Sequence, residues 1–398
     1  MSNQANTPCP ACESTDRHEF YYWPGLPVNS CLLLESHGEA VEFPRNDLRL
    51  VHCHACGFIA NDDFVPGLNE YSDRYEETQA FSPHFVTFAD TLAKTWVQKY
   101  DLQDKTVVEI GCGKGEFLAA MARHGIGSGI GIDPGVHPER LSEEESARLQ
   151  WITGWFPEDL PDLSDAAAVV CRHTLEHIGP VRHFLDQIRA AMGPDSEAVV
   201  LFELPDALRV LREGAFWDTY YEHCSYFTTG SLARLFLRCG FDVLGLEKAY
   251  DDQYLLIEAR PLRASESPTW QPDDDLADVA VAVEHYRGSV TATTAHWRHR
   301  VAEVASAGGV VVAWGGGSKA VSFLAALGDE AAHVSAVVDV NPFKHHHYLA
   351  GSGMEVIAPS DLPDITPDLV VVMNPVYLDE IRADLARLGL GEVAVEAL

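Results

Sequence analysis

Basic residues are scarce in this chain. Lysine and arginine number 28 against 60 aspartates and glutamates, giving a formal net charge of −32. Such a surface repels phosphate backbones, so nucleic acid is not an expected partner, although one local basic pocket remains compatible with it. No apolar run approaches the ~20 residues that a membrane-spanning helix requires, so no membrane partner is expected either. The opening MSNQANTPCP lacks the basic, then apolar, pattern of a signal peptide, and the cytoplasm is the expected compartment. What is present is ordinary for a globular chain: 398 residues, 46% hydrophobic and 22% charged, enough for two or three domains. A small molecule is the expected partner, with the chain a monomer or a weak homodimer.

Nine cysteines in a chain without a secretion pattern do not suggest a disulfide framework. Their spacing is informative instead. Cys9-Pro10-Ala11-Cys12 and Cys53-His54-Ala55-Cys56-Gly57 are two C-x-x-C knuckles. Each turn points two thiolates at one ion, and two of them complete a closed tetrahedral zinc site. One knuckle would leave redox cysteines open, whereas the pair points to structural zinc held by Cys9, Cys12, Cys53 and Cys56. Residues 13–52 must carry strands of their own, expected at Phe20–Trp23 and Ser30–Leu34. Cys31 reads as a core thiol.

The chain is organised around Val107-Val108-Glu109-Ile110-Gly111-Cys112-Gly113-Lys114-Gly115. An apolar run stops at a glycine cluster and a helical pattern follows, which reads as the first strand, loop and helix of a doubly wound α/β domain. Glycines there let a ligand approach the backbone closely. The spacing G-x-G-x-G and the acid two positions ahead argue against a dinucleotide site. This stretch resembles motif I of class I S-adenosylmethionine (SAM) methyltransferases. The resemblance implies that Glu109, Gly111, Gly113 and Gly115 surround the methionine part of the cofactor. A second strand ends in Asp133, placed to accept the ribose hydroxyls. After a third strand near 149–153, Trp155 and Phe156 stand where the family flanks the adenine. A fourth strand, 167–171, leads to Arg172-His173-Thr174-Leu175-Glu176-His177-Ile178, similar to the family's N-x-L-x-H-I with His173 in place of the asparagine that lies near the transferred methyl.

The run 62–85, rich in polar and aromatic residues, precedes a helix over 83–100. Its Tyr71, Tyr75 and Phe81 read equally as packing residues or as a lid. Beyond a fifth strand, 198–204, comes Phe216-Trp217-Asp218-Thr219-Tyr220-Tyr221-Glu222-His223-Cys224-Ser225-Tyr226-Phe227, expected outside regular structure at the substrate edge. Core packing explains its aromatics but not an adjacent Glu-His. The pattern resembles the active-site loop of sugar C-methyltransferases from deoxysugar pathways. A helix at 229–239 and strands at 241–246 and 253–259 close the domain. Pro261, Pro268 and Pro272 mark a linker over 261–276, followed by a long helix, 277–306. Gly315-Gly316-Gly317-Ser318-Lys319-Ala320 then opens a second strand–loop–helix unit. Its amides and Lys319 suit an anion; a loop that merely buttresses the fold is the alternative. His345-His346-His347 reads as a solvent-exposed loop.

The expected fold is therefore α/β: a four-cysteine zinc module (1–70), a class I SAM methyltransferase Rossmann-like domain (71–262) and a smaller C-terminal α/β Rossmann-like domain (263–398). This three-part order also resembles the sugar C-methyltransferases, and it implies a nucleotide-linked keto-deoxysugar methylated on the carbon next to its ketone, in antibiotic or other deoxysugar biosynthesis. Such chemistry needs a base and a group to hold the enolate oxygen. His223 is the first choice as base, Glu222 would orient it or replace it, and His177 and Tyr220 are candidates for the oxygen. A methyltransferase for another small molecule, a non-catalytic SAM or nucleotide module, and an NAD-dependent enzyme using the second glycine loop remain open at this point.

Overall fold

The N-terminal strands are long and only half covered. β1 (Arg17–Pro27) pairs antiparallel with β2 (Arg45–Cys53), which pairs with the short β3 (Ile59–Asn61). The structure, a computed structural model, describes residues 7–69, 71–159, 163–272 and 274–398. Residues 1–6, which carry most of the segment read for a signal pattern, and Glu70, both inside the expected zinc module, lie outside the described residues, as does Asp273 of the expected linker. The strand expected at Ser30–Leu34 does not form. Leu32 and Leu34 make single bridges to Tyr75 and Tyr348 instead, because this segment runs between two other parts of the chain rather than along a neighbouring strand.

Central strands buried on both faces read as unbroken apolar runs. β4 (Thr106–Ile110), β7 (Ala168–Arg172) and β8 (Val199–Pro205) are of this kind; β5 (Ser128–Ile132) and the edge strand β6 (Leu149–Ile152) are less covered, and all five pair in parallel. The next strand, β9 (Ser225–Tyr226), leaves this sheet and pairs with β3. The run Phe216–Phe227 is thus not wholly irregular, since it lends a strand to the N-terminal sheet. β10 (Phe241–Ala249) and β11 (Tyr254–Pro261) complete the seven-stranded sheet in the order β10-β11-β8-β7-β4-β5-β6. The order reverses between β4 and β7, and ligands bind at such a switch point outside the carboxyl ends of the strands.

The C-terminal sheet repeats the winding. β12 (Val311–Trp314), β13 (Val334–Val338), β14 (Val356–Ile357), β15 (Leu369–Val372) and β16 (Ala394–Ala397) are all parallel, in the order β14-β13-β12-β15-β16. Its switch point lies between β12 and β15. The helix Leu276–Ser306 joins the halves. It buries Val279, Val283, Tyr286, Val290, Trp297 and Val301, roughly one apolar residue per turn. These meet Leu26 and Leu48 of the N-terminal sheet, Leu211 and Trp217 of the methyltransferase region, and Phe323 of the C-terminal unit in one core.

The helix Pro83–Lys99 starts where Ser82 accepts a hydrogen bond from the Phe85 amide and proline occupies the first turn. Its buried Leu92, Ala93, Trp96 and Val97 fasten it to the methyltransferase core. At the other end Glu380 of the C-terminal unit accepts from Ser82 Oγ (2.9 Å) and the His84 amide (3.3 Å). Among the described residues no helix is long and apolar enough to cross a membrane.

Candidate active site

One cavity of about 530 Å³ opens between the carboxyl ends of the parallel strands of the two sheets. Its lining includes Glu109, Gly111, Gly113 and Asp133 from one side and Gly315, Ser318, Asp339 and Lys344 from the other, with Tyr220, His223 and His177 between them. The two glycine loops, expected as separate units, therefore face a common space.

The first loop is shaped for close approach. Gly111 and Gly113 hold φ of +68° and +52°. A Cβ on Gly111 would collide with the Thr174 hydroxyl, and one on Gly113 would stand 2.6 Å from Glu77 Oε1. Gly115, also left-handed, caps the helix Glu116–Arg123. Asp133 ties the crevice together by accepting from the Gly113 amide (3.0 Å) and the Gly135 amide (2.7 Å). Burial pushes its carboxyl up, with the two amides opposing. Trp155 lines the mouth, half exposed, while Phe156 packs edge-on against Phe184 at 4.8 Å. Of that pair, Trp155 has the freer ring face.

The Glu-His loop sits deep in the cavity. Tyr220 lies on His223 with ring centroids 4.2 Å apart, and His177 stands edge-on to His223 at 4.7 Å. Burial, then the charges of His177, His173 and Lys319, hold the His223 imidazolium well below its usual pKa, so the ring is neutral. His177 is also lowered by burial. Its Nδ1 is 2.7 Å from the Tyr71 hydroxyl and 3.2 Å from the Glu222 carbonyl oxygen. His173 differs: burial lowers it, but Glu176 and Glu203 outweigh burial and lift it to about 9. It is a cation clamped to Glu203 (2.8 Å), with φ of +47°.

Three expectations need correction. Glu222 does not orient His223. Its carboxylate accepts from the Ser30 hydroxyl and the Ser30 amide (3.2 Å), because the segment expected as a strand passes directly behind the loop. Lys319 is not open to an anion. It is ion-paired with Asp218, which also holds Arg209. Of the histidine run only His346 is exposed; His345 Nε2 is 2.8 Å from the Asp339 carbonyl oxygen.

A profile described as a methyltransferase domain matches residues 84–246, and one described as a C-methyltransferase C-terminal domain matches residues 274–392. The C-methyltransferase NovU of Streptomyces niveus is 26% identical over 391 residues, covering 94% of this chain and 90% of that protein. The chain belongs to the C-methyltransferase family. It is a SAM-dependent methyltransferase, and its cavity fits that cofactor. SAM is cationic, and Glu77 Oε2 and Glu109 Oε2 are buried there without a hydrogen-bond partner. Ribosomal protein L11 methyltransferase of Pasteurella multocida is 32% identical over 108 residues, 26% of this chain and 36% of that protein. Among solved structures, RosA of Streptomyces davawensis, an N,N-8-amino-8-demethyl-D-riboflavin dimethyltransferase, shares 25% identity, covers 44% of this chain and 56% of its own, and has a TM-score of 0.37.

In this C-methyltransferase the four knuckle cysteines converge as the spacing implied. Cys9 and Cys56 sulfurs are 3.7 Å apart, Cys12 and Cys53 3.6 Å, and all four lie within 4.8 Å of one another as free thiols. Zinc–sulfur bonds of about 2.3 Å place tetrahedral sulfurs about 3.8 Å apart, so the donor set fits zinc. Cys31 is not among them; it lies 3.2 Å from the Ser318 hydroxyl at the edge of the cavity.

Other site groups carry no sequence signature. Lys114 is fully buried and donates to the Tyr75 and Gly135 carbonyls at 2.6 and 3.0 Å. This fastens the segment 71–82 over the first glycine loop. Tyr71, Tyr75 and Phe81 line the cavity, so the packing and lid readings of that segment merge. Arg209 presents a buried Nε without a partner. Only the fold shows these groups together, since each joins segments far apart in the chain.

Proposed function

We propose that this C-methyltransferase acts on a nucleotide-linked keto-deoxysugar, at the carbon next to the ketone, with His223 as base and structural zinc on the four cysteines. The observation that carries this reading is the shared cavity. It runs from the SAM loop past His223 to the second glycine loop, a span suited to an acceptor with a reactive head and a long polar tail. SAM would supply the methyl group as an electrophile. A neutral imidazole has a lone pair for the α-proton, and His223 is neutral because burial and nearby positive charge hold its pKa down. The resulting enolate oxygen needs a donor. Burial keeps the Tyr220 hydroxyl protonated, and His177, which also packs on His223, is the second candidate donor. The enolate carbon would accept the methyl that bound SAM supplies, with the thioether as leaving group, while His223 holds the abstracted proton and passes it to solvent before the next turnover. The unpartnered Arg209 Nε supports an anionic acceptor, as does the Ser318 end of the helix Ser318–Leu327.

His223→Ala is expected to lose turnover by ~10²–10⁴, the range for a positioned acid–base group, while keeping SAM affinity. With a non-transferring SAM analogue, the wild-type enzyme should exchange the substrate's α-proton for solvent deuterium and the variant should not. Exchange by the variant would move the base to Glu222 or His177. A product methylated on oxygen or nitrogen would end the carbon-methylation reading.

A further inference from the structure

The roof of the SAM crevice holds a carboxylate with no assigned task. Glu77 belongs to the segment that Lys114 fastens over the first glycine loop. Its Oε1 stands so close to Gly113 that a Cβ there would be 2.6 Å away. Its Oε2 is buried and accepts no hydrogen bond. Lys114 is the nearest cation, but its Nζ is 3.8 Å from Oε2 and already donates to two carbonyls. The side chain as a whole is about one-third exposed, but a carboxylate oxygen buried without a donor is costly, so a site built this way is completed by something that brings one.

We propose that Glu77 receives the α-ammonium of the cofactor's amino-acid tail, an inference that rests on SAM as the methyl donor. Of the cofactor's positive groups only the ammonium carries N–H donors; the sulfonium has none. Asp133 accepts from the Gly113 amide and is the acid expected at the ribose, and Glu109 has the Leu118 amide and the Arg172 charge beside it, which makes Glu77 the acid of the crevice with most to gain from the tail's ammonium. Burial first, then the neighbouring charges of Asp133 and Glu116, push the Glu77 carboxyl up to about 8 against the pull of Lys114. A cation delivered to this crevice relieves that crowding.

The test is calorimetry on the full-length, zinc-loaded protein with three ligands: SAM, S-adenosylhomocysteine and 5′-methylthioadenosine. The last keeps the nucleoside and thioether but lacks the tail. A hydrogen bond to a charged group predicts that Glu77→Gln weakens SAM and S-adenosylhomocysteine by about 10- to 100-fold, with methylthioadenosine unchanged within about twofold. Glu77→Asp, which keeps the charge on a shorter arm, should fall between. Equal loss for all three ligands would make Glu77 a ribose or structural residue. Loss for SAM alone would assign it to the sulfonium, and no loss for any would remove it from the site. Each of these outcomes overturns the inference. Wild-type protein that binds methylthioadenosine but not SAM would instead count against SAM as the donor.

Discussion

The two strand–loop–helix units of this chain are near copies in backbone logic. In the first, Asp133 at the end of the second strand grips the Gly113 amide at 3.0 Å and the Gly135 amide at 2.7 Å. In the second, Asp339 at the equivalent strand end grips the Gly316 amide at 2.7 Å and the Asn341 amide at 2.8 Å. The sheets wind in the same order. What differs is the surrounding. The first loop has an acid two residues ahead, two left-handed glycines facing the ligand space, and Glu77 above it. In the second, Lys344 stands 3.5 Å from Asp339, Val356 packs against Gly316, and Lys319 is held by Asp218. A shared fold therefore does not imply a shared ligand; the side chains that other segments bring to the crevice decide what it can hold.

The largest effect should separate the loops directly. Gly113→Val places a branched side chain against Glu77 at a left-handed φ, and SAM binding should be abolished, while the four-cysteine cluster still binds metal. Gly316→Ala meets Val356 and Asp339 at a tight 3.2–3.3 Å; the few tenths of an ångström they must give fall in the second loop, so SAM affinity is expected to stay within about twofold even if stability drops. Calorimetry on both variants checks this, and equal losses would break the distinction.

The next test concerns the N-terminal sheet. β3 pairs with β9, and the Asn61 amide donates to the Cys224 carbonyl at 3.0 Å. The cysteine cluster is thus joined to the Glu-His loop rather than to the SAM loop. Metal analysis should find one zinc per chain. Stripping it with a chelator, or replacing Cys53 with serine, should lower turnover by at least about tenfold, the scale of a misplaced catalytic group, and change SAM affinity much less. A larger loss of SAM binding than of turnover would reverse that assignment.

The smallest effect is one of pH. Burial raises Glu77 and Glu109 to about 8 and Glu222 to about 7, and His173 stands at about 9 through Glu176 and Glu203 despite burial. In each case the folded state holds its proton more tightly than the unfolded chain. The stabilisation is therefore complete below the unfolded values and is lost as pH rises through 7 to 9. His177 and His223, lowered by burial, pull the other way up to about pH 6.5, so the cofactor-free protein should melt on the order of a few degrees lower at pH 8.5 than at pH 7. All of these groups lie between residues 77 and 223, so this slope belongs to the methyltransferase half. A melting temperature that rises over that interval would contradict the sign.

Local features are legible in the amino-acid sequence alone. Two C-x-x-C turns, a G-x-G-x-G loop, an aspartate at the next strand end and a second glycine loop are each contiguous, and short-range geometry sets what each can do. The partners of the reactive groups are not legible there, because they come from distant segments. Ser30 reaches Glu222 across 192 positions, and Lys319 reaches Asp218 across 101. Motif and period thus determined the fold class, the cofactor type and the thiolate cluster. Tertiary structure alone decided that Glu222 turns away from His223, that β9 joins the N-terminal sheet, and that Glu77 overhangs Gly113. A pattern along the chain records what neighbouring residues do together, whereas burial and charge pairing depend on which remote surfaces the sheets bring into contact.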